Sequence, residues 1–223
     1  MSSSELAGAL LRRSRPRAAR LRRALLVRRI RVLAAAAGAV VELDLAHDVV
    51  VGRGVRVEIG QSTTNLLRVG IGSVLGDGVV LQLRGGEVEI GPWTDLRRGV
   101  VLNASGRLRV GERTVLGAGT TVHCAHQVTV GDRVGIGEYA TLVDTSHRHT
   151  EPGRPVVYDT VEGAVVVGDD VFVGTKATLT RSCRLGEFCV VGAGSVVVGE
   201  VPPKSFVSGV PARVVSTVDL PWE

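Results

Sequence analysis

The fold is decided by residues 165–213, which read VVVGDDVFVGTKATLTRSCRLGEFCVVGAGSVVVGEVPPKSFVSGVPAR. An aliphatic side chain recurs there at every sixth position, in Val167, Val173, Leu179, Leu185, Val191 and Val197. An amphipathic helix needs a spacing near 3.6 and an isolated strand alternates by two, so neither explains this pattern. Period six is typical of a short strand followed by a sharp corner, with three such units in each triangular turn. The stretch therefore predicts a parallel β-helix whose turns stack about 4.8 Å apart.

The same period continues upstream from about Val49, with interruptions. Thr63 occupies one apolar slot, the register slips by three residues before Ile90, and intervals of 20 residues separate Ile90, Val110 and Val130. We interpret the added residues as one corner that bulges in each turn. At 18 residues per turn, this predicts roughly eight turns.

Charge and composition divide the chain into three parts. Residues 1–38 carry ten Arg against Glu5 alone, a net charge of +9, and the total of +5 leaves −4 for the rest. We assign residues 39–201 to the β-helix and residues 202–223 to a capping tail. The mildly acidic body gives no reason to expect nucleic acid binding. The chain has no secretory signal and no apolar run that could span a membrane, so we expect a cytoplasmic protein.

The N-terminal part predicts a basic amphipathic helix at about residues 18–36. Its apolar face would consist of Leu21, Leu25, Leu26, Ile30 and Leu33. Such a helix fits a peripheral anchor on anionic lipid at the inner membrane face. It equally fits a helix packed on its own oligomer, and a transit peptide shares this composition. The three interpretations stay open.

A polar segment at residues 143–164, VDTSHRHTEPGRPVVYDTVEGA, interrupts the period. A long loop inside a regular domain is usually functional or disordered. This one carries His147 and His149, and imidazole is suited to proton transfer near neutral pH. Asp144, three residues before His147, could orient its ring. We therefore expect the chemistry of the protein at this loop.

Three segments of the opening stretch resemble the hexapeptide-repeat acyltransferases, in the branch of the maltose, galactoside and polysaccharide O-acetyltransferases. They are GDDVFVGTKATL, GEFCVVGAGSVV and VPPKSFVSGVPAR. The resemblance implies an all-β, left-handed parallel β-helix, here with an N-terminal basic α-helical arm. It also implies acetyl-CoA as co-substrate, a homotrimer with active sites between subunits, and a sugar or polysaccharide precursor as acceptor.

The resemblance assigns roles to individual residues. His147 matches the catalytic general base, and the backbone N–H of Thr175 matches the donor that stabilises the oxyanion. Phe172 would lie along the pantetheine groove, and the small turn Gly192-Ala193-Gly194 would let the CoA amides approach the backbone. The candidates for contacts with the CoA phosphates are Lys176, Arg181, Lys204 and Arg213. The candidates for acceptor binding are Asn103, His123, Asp144 and His149.

His123, Cys124 and His126 form a second cluster of metal-ligating residue types. A structural zinc site needs a fourth ligand, so we expect no metal and place these side chains at a subunit contact. One alternative function is a metal-dependent hydratase resembling the γ-type carbonic anhydrases, although the His spacing here does not reproduce theirs. Another is a non-enzymatic scaffold. The leading prediction is a CoA-dependent O-acyltransferase that transfers an acetyl group.

Overall fold

The computed structural model describes residues 16–148, 152–153 and 159–220. These residues form an N-terminal helix and a parallel β-solenoid of about seven turns. Each turn contributes one short strand to each of three sheets, which we name A, B and C in the order in which the chain visits them. The corners between them are accordingly the A/B, B/C and C/A corners.

The strands are numbered in chain order. Sheet A contains β1 (Val40–Leu45), β4 (Thr64–Val69), β7 (Glu87–Ile90), β10 (Arg107–Val110), β13 (Gln127–Val130), β18 (Val165–Val167), β21 (Arg184–Leu185) and β24 (Glu200–Val201). Sheet B contains β2 (Val50–Val51), β5 (Val74–Leu75), β8 (Asp95–Leu96), β11 (Val115–Leu116), β14 (Gly135–Ile136), β19 (Phe172–Val173), β22 (Val190–Val191), β25 (Ser205–Gly209) and β26 (Ala212–Thr217). Sheet C contains β3 (Arg56–Ile59), β6 (Val80–Leu83), β9 (Val101–Ala104), β12 (Thr121–Cys124), β15 (Thr141–Val143), β20 (Thr178–Leu179) and β23 (Val196–Val197).

The hexad residues form the core of the solenoid. The six aliphatic residues from Val167 to Val197 point inward, and none is more than 2% exposed. Each sits directly above its counterpart in the neighbouring turn; Val173, for example, pairs with Ile136 on one side and Val191 on the other. Burial of one such side chain contributes about 1.5–3 kcal/mol. The predicted all-β parallel β-helix is confirmed.

The turns differ in length at one corner only. From sheet A to B and from B to C, the inward residues are six apart in every turn, as in Leu116 to Val122. From C to A the intervals are 12, 9, 8, 8, 25, 6 and 4 residues, in Val57–Val69, Leu81–Ile90, Leu102–Val110, Val122–Val130, Leu142–Val167, Leu179–Leu185 and Val197–Val201. The predicted bulge is thus the C/A corner. Thr63 belongs to that corner rather than to a wall, and the estimate of eight turns was too high because these added residues build no strand.

Helix α1 (Pro16–Ala37) closes the N-terminal end of the solenoid. It contacts β1, β2 and β3, and it buries Leu26 and Ile30 against the first turn. The Nε of Arg22 donates to the carbonyl of Val51 at 2.5 Å, and the Nε of Arg23 donates to that of Ala46 at 2.8 Å. Carbonyls that face no preceding turn are therefore satisfied by arginine side chains.

The predicted apolar face of this helix was partly wrong. Leu21 and Leu25 are 62% and 53% exposed, because at 100° per residue they lie far around the helix from Ile30, which is fully buried. Within the described ranges, no helix is both long enough and apolar enough to cross a bilayer.

The C-terminal end is closed by chain reversal. Strand β25 pairs in parallel with β22 and so continues sheet B beyond residue 201. Strand β26 then turns back and pairs with β25 in the antiparallel direction. At the C-terminal end the reversed strand therefore covers the edge of sheet B, whereas α1 contacts strands of all three sheets at the N-terminal end.

Candidate active site

The B/C corners of the two turns after the loop form an open backbone surface. We call residues 174–176 and 192–194 the B/C shelf. The N–H of Gly194 donates to the carbonyl of Thr175 at 2.8 Å. A Cβ at Gly174 would lie 2.6 Å from the backbone N of Ala193, so the two turns approach as closely as glycine permits. The shelf brings together the predicted CoA-binding residues Thr175, Lys176, Gly192, Ala193 and Gly194.

The shelf carries an exposed cation and a backbone donor that has no acceptor among the described residues. The N–H of Thr175 donates to none of the carbonyl groups in the described part of the chain. Lys176 is exposed at the same corner. Phe172, two residues before the shelf in β19, is 53% exposed and packs beside Gly135, where a Cβ would lie 3.1 Å from its ring. Phe172 therefore faces outward as predicted, and its contact with pantetheine stays a prediction.

Arg213 lies next to this shelf. It belongs to β26 and pairs with Ser208 of β25. A Cβ at Gly192 would lie 2.8 Å from the Oγ of Ser208, which places Ser208 one turn beyond the shelf on the same corner. The Arg213 side chain is exposed, and its Nη1 donates to the carbonyl of Ala212 at 2.9 Å. A second positive charge is therefore available on the same side of the solenoid as Lys176, three strands further along sheet B.

The other two candidate phosphate contacts lie on different corners. Lys204 occupies the A/B corner, where its N–H donates to the carbonyl of Glu187 at 2.9 Å. Arg181 occupies the C/A corner, and its Cγ lies 3.1 Å from the position of a Cβ at Gly163. The structure therefore does not bring Lys204 or Arg181 to the shelf. The six-residue period gives the same result, because it places both residues on corners other than the B/C corner.

His147 lies on a short two-stranded arm that leaves the C/A corner. Strands β16 (Thr145–His147) and β17 (Thr160–Glu162) pair in the antiparallel direction, with His147 opposite Thr160. The Nε of Arg148 donates to the Oδ1 of Asp159 at 3.0 Å, and its N–H donates to the Asp159 carbonyl at 3.1 Å. The imidazole is exposed, as a base for an external hydroxyl requires. His149 lies outside the described residues.

Asp144 anchors both this arm and the corner before it. It is fully buried, and its carboxylate accepts the N–H groups of Ala125, His126 and Gln127 at 2.9, 2.7 and 2.8 Å. Its carbonyl accepts the N–H of Gly163 at 2.9 Å, which joins the two ends of the loop. The carboxylate thus holds the backbone of the preceding corner. This geometry does not support the predicted roles of Asp144 in orienting His147 or binding an acceptor.

Strand alternation separates the members of the second cluster. His123 faces outward from sheet C in register with Asn103, whereas Cys124 faces the core. Burial, followed by the charge of Asp144, raises the pKa of the Cys124 thiol to about 12. His126 lies at the corner with its Nδ1 4.0 Å from Glu162 on the arm. In the described residues no three His, Cys, Asp or Glu side chains converge on a metal position. Cys183 and Cys189 are also buried and free.

The arm and the shelf lie at opposite edges of sheet C. In the turn that contains Thr175, the chain crosses this sheet between Lys176 and Ser182. Six residues of strand span roughly 20 Å. A single chain therefore does not bring His147 to Thr175. Asn103 and His123 lie on sheet C in earlier turns than both, with His123 exposed and Asn103 half-buried.

Comparison with known proteins shows what the chain is similar to. No family model matches the chain. A probable acetyltransferase of Mycobacterium tuberculosis is 30% identical over 89 residues, which cover 40% of this chain and 30% of that protein. A 2,3,4,5-tetrahydropyridine-2,6-dicarboxylate N-acetyltransferase of Brevibacillus brevis is 44% identical over 55 residues, 25% of this chain and 23% of that protein. The chain thus spans under a third of the length of these curated relatives.

A hexapeptide-repeat-containing acetyltransferase of Vibrio cholerae has a similar solved structure. It is 26% identical with a TM-score of 0.54, over 58% of this chain and 73% of that one. The same Vibrio protein is also known in complex with acetyl coenzyme A, at 24% identity and a TM-score of 0.46, over 67% of this chain and 72% of that one. This chain resembles the hexapeptide-repeat acetyltransferases. That predicted resemblance is confirmed, whereas the maltose, galactoside and polysaccharide branch stays a prediction.

The resemblance to hexapeptide-repeat acetyltransferases did not reveal the anchoring role of Asp144. A signal for it was present in the sequence. Leu83, Ala104 and Cys124 each follow an inward residue of sheet C by two positions and are buried. Asp144 follows Leu142 by the same interval, so strand alternation predicts a buried carboxylate there.

Proposed function

We propose that this chain is an acetyl-CoA-dependent acyltransferase that transfers an acetyl group to a hydroxyl of a sugar or polysaccharide precursor. The observation that carries the proposal is the B/C shelf. It offers close glycine backbone and the unused N–H of Thr175 to the amide-containing arm of CoA. Lys176 and Arg213 offer positive charge to its phosphates. The acetyltransferase names of the relatives support the same chemistry.

His147 acts as the general base in this proposal. Its imidazole accepts the proton of the acceptor hydroxyl while the hydroxyl oxygen forms its bond to the thioester carbonyl carbon. The N–H of Thr175 donates to the carbonyl oxygen as negative charge develops there. When the carbon–sulfur bond breaks, the imidazolium returns the proton to the departing sulfur. General base catalysis contributes about 10²–10⁴ in rate, and one oxyanion donor about 10²–10³.

A second copy of the chain completes the site. Because sheet C separates the arm from the shelf by roughly 20 Å, His147 has to act on a co-substrate held by a neighbouring subunit. In the proposed homotrimer, the arm of one subunit faces the shelf of the next. The outward-facing side chains of His123, which is exposed, and Asn103, which is half-buried, then line the space between the two subunits, where the acceptor binds.

An amine is the second candidate acceptor. The similarity to the Brevibacillus N-acetyltransferase favours it. The same imidazole would take a proton from the attacking amine. Parallel assays with amino sugars and with sugars that carry only hydroxyl groups distinguish the two acceptors. The hydratase alternative is not favoured, because the spacing of His123, His126, His147 and His149 does not reproduce that of the γ-type carbonic anhydrases.

Titration calorimetry with acetyl-CoA tests the proposed shelf, because the chain contains a matched control. Residues 117–119 and 192–194 have the same sequence, Gly-Ala-Gly, at the B/C corner of different turns. We expect Ala193→Asp to weaken binding at least about tenfold by repelling the phosphates. Ala118→Asp should leave the affinity unchanged. Equal losses in both variants, or no binding by the unmodified protein, would overturn the proposal and favour a scaffold.

A further inference from the structure

Helix α1 has a second apolar face, which points away from the solenoid. Leu21, Leu25 and Val32 are 62%, 53% and 60% exposed. At 100° per residue they fall within about 40° of one another, on the side opposite Ile30. The helix is therefore apolar on two sides, one packed on the first turn and one without a partner among the described residues.

Positive charge surrounds this outward face. Arg20, Arg28, Arg29 and Arg31 are exposed, and α1 contains no acidic residue. On the same helical wheel Arg28 and Arg29 border the stripe, within about 20° and 40° of its edges, whereas Arg20 and Arg31 lie about 80–100° away. These arginines are distinct from Arg22 and Arg23, whose guanidinium groups donate to carbonyls of the first turns.

The position of α1 makes this face an end surface of the molecule. The helix contacts strands of all three sheets, β1, β2 and β3, so it lies across the end of the prism. A flat partner can therefore reach the whole stripe without contacting the side walls. Face-to-face pairing with the α1 of a second copy would bring like-charged arginines together, and such pairs repel.

We propose that the outward face of α1 docks this protein on an anionic membrane surface. Leu21, Leu25 and Val32 enter the headgroup region, and the arginines pair with lipid phosphates. Exposed arginines attract an anionic leaflet, and a few apolar side chains add to this binding. The solenoid then stands on the membrane by its N-terminal end. The B/C shelf lies near the opposite end, so both can be occupied at once.

Vesicle flotation of the full-length protein tests this docking. We expect the protein to float with vesicles that contain phosphatidylglycerol, and not with vesicles of phosphatidylcholine alone. Raising the salt concentration should release it, because exposed charges are screened. Equal flotation with both vesicles, or flotation with neither, overturns the proposal.

Substitutions locate the contact. Leu25→Glu should weaken flotation at least about tenfold, and Arg28→Gln about fivefold, the equivalent of one arginine at an anionic surface. Val198→Glu is the matched control, since Val198 is 59% exposed at the far end of the solenoid. Leu25 and Val198 are both exposed, so Leu25→Glu and Val198→Glu should keep the melting temperature of the unmodified protein. If Leu25→Glu instead dissociates the oligomer and leaves flotation unchanged, the face binds a second copy and the proposal is wrong. None of these measurements requires acetyl-CoA.

Discussion

Two B/C corners share the sequence Gly-Ala-Gly but differ in what covers them. Residues 117–119 and 192–194 have final glycines with nearly the same left-handed φ, 69° and 68°. The ring of Tyr139 lies over the first corner, with two of its atoms 2.6 Å from the position of a Cβ at Gly119. Around Gly194, no atom lies within 4 Å of that position. The neighbouring turn, not the tripeptide, therefore decides which corner is open to a ligand.

The variant with the largest expected effect, His147→Ala, should change the rate of acetyl transfer but not the binding of acetyl-CoA. His147→Ala should lower the rate of acetyl transfer by about 10²–10⁴, because the acceptor loses the base proposed for it. The dissociation constant for acetyl-CoA should stay within about twofold, since the shelf lies across sheet C. Steady-state kinetics and calorimetry measure the two quantities.

His47→Ala is the control for this variant, because His47 is exposed at the A/B corner of the first turn. It should leave turnover unchanged. Full activity of His147→Ala would assign the base to another residue, with His149 the first to examine.

The second prediction concerns the packing beneath the open corner. Gly174→Ala should lower the free energy of unfolding by about 3 kcal/mol, because its Cβ would meet the backbone of Ala193 at 2.6 Å. Gly194→Ala should cost about 1–2 kcal/mol, since it meets no atom but keeps a left-handed φ. Urea unfolding measures both. Equal losses would mean that the close approach of the turns adds nothing to the cost of a side chain, which would contradict this prediction.

The third prediction concerns the C/A corner, which a side chain rather than close backbone packing holds. Asp144→Asn should lower the free energy of unfolding by about 2 kcal/mol, because the amide group cannot accept all three N–H bonds. Asp132→Asn is the comparison, since the carboxylate of Asp132 accepts one N–H, from Glu112 at 2.8 Å. Thermal unfolding of both variants tests this order. A larger loss in Asp132→Asn would contradict the anchoring role of Asp144.

Much of the fold could be predicted from the sequence, because period six records every inward position. The series from Val167 to Val197 fixed the phase of all three sheets, and the 20-residue intervals revealed the bulging corner. The number of turns could not be read in the same way. The first C/A corner, around Thr63, puts 12 residues between Val57 and Val69. Because 12 is two periods, the six-residue spacing continues there although no extra strand forms.

The candidate site could be predicted only in part. Hexad phase placed Thr175 and Gly192–Gly194 on one edge, and the structure brings them together. The period does not extend to α1, so it did not show that Leu25 faces away from the solenoid. That outcome depends on how the capping helix packs on the first turn, which one-dimensional spacing does not record.

The unequal corners have a consequence for how such a protein can change. Each turn hydrogen-bonds only to the turns beside it, and the A/B and B/C steps keep six residues throughout. Intervals between inward residues across the C/A corner range from 4 residues to 25, and the register of every sheet stays intact. Acceptor preference could therefore diversify by lengthening or exchanging one loop, while the surface for the acyl donor is inherited unaltered.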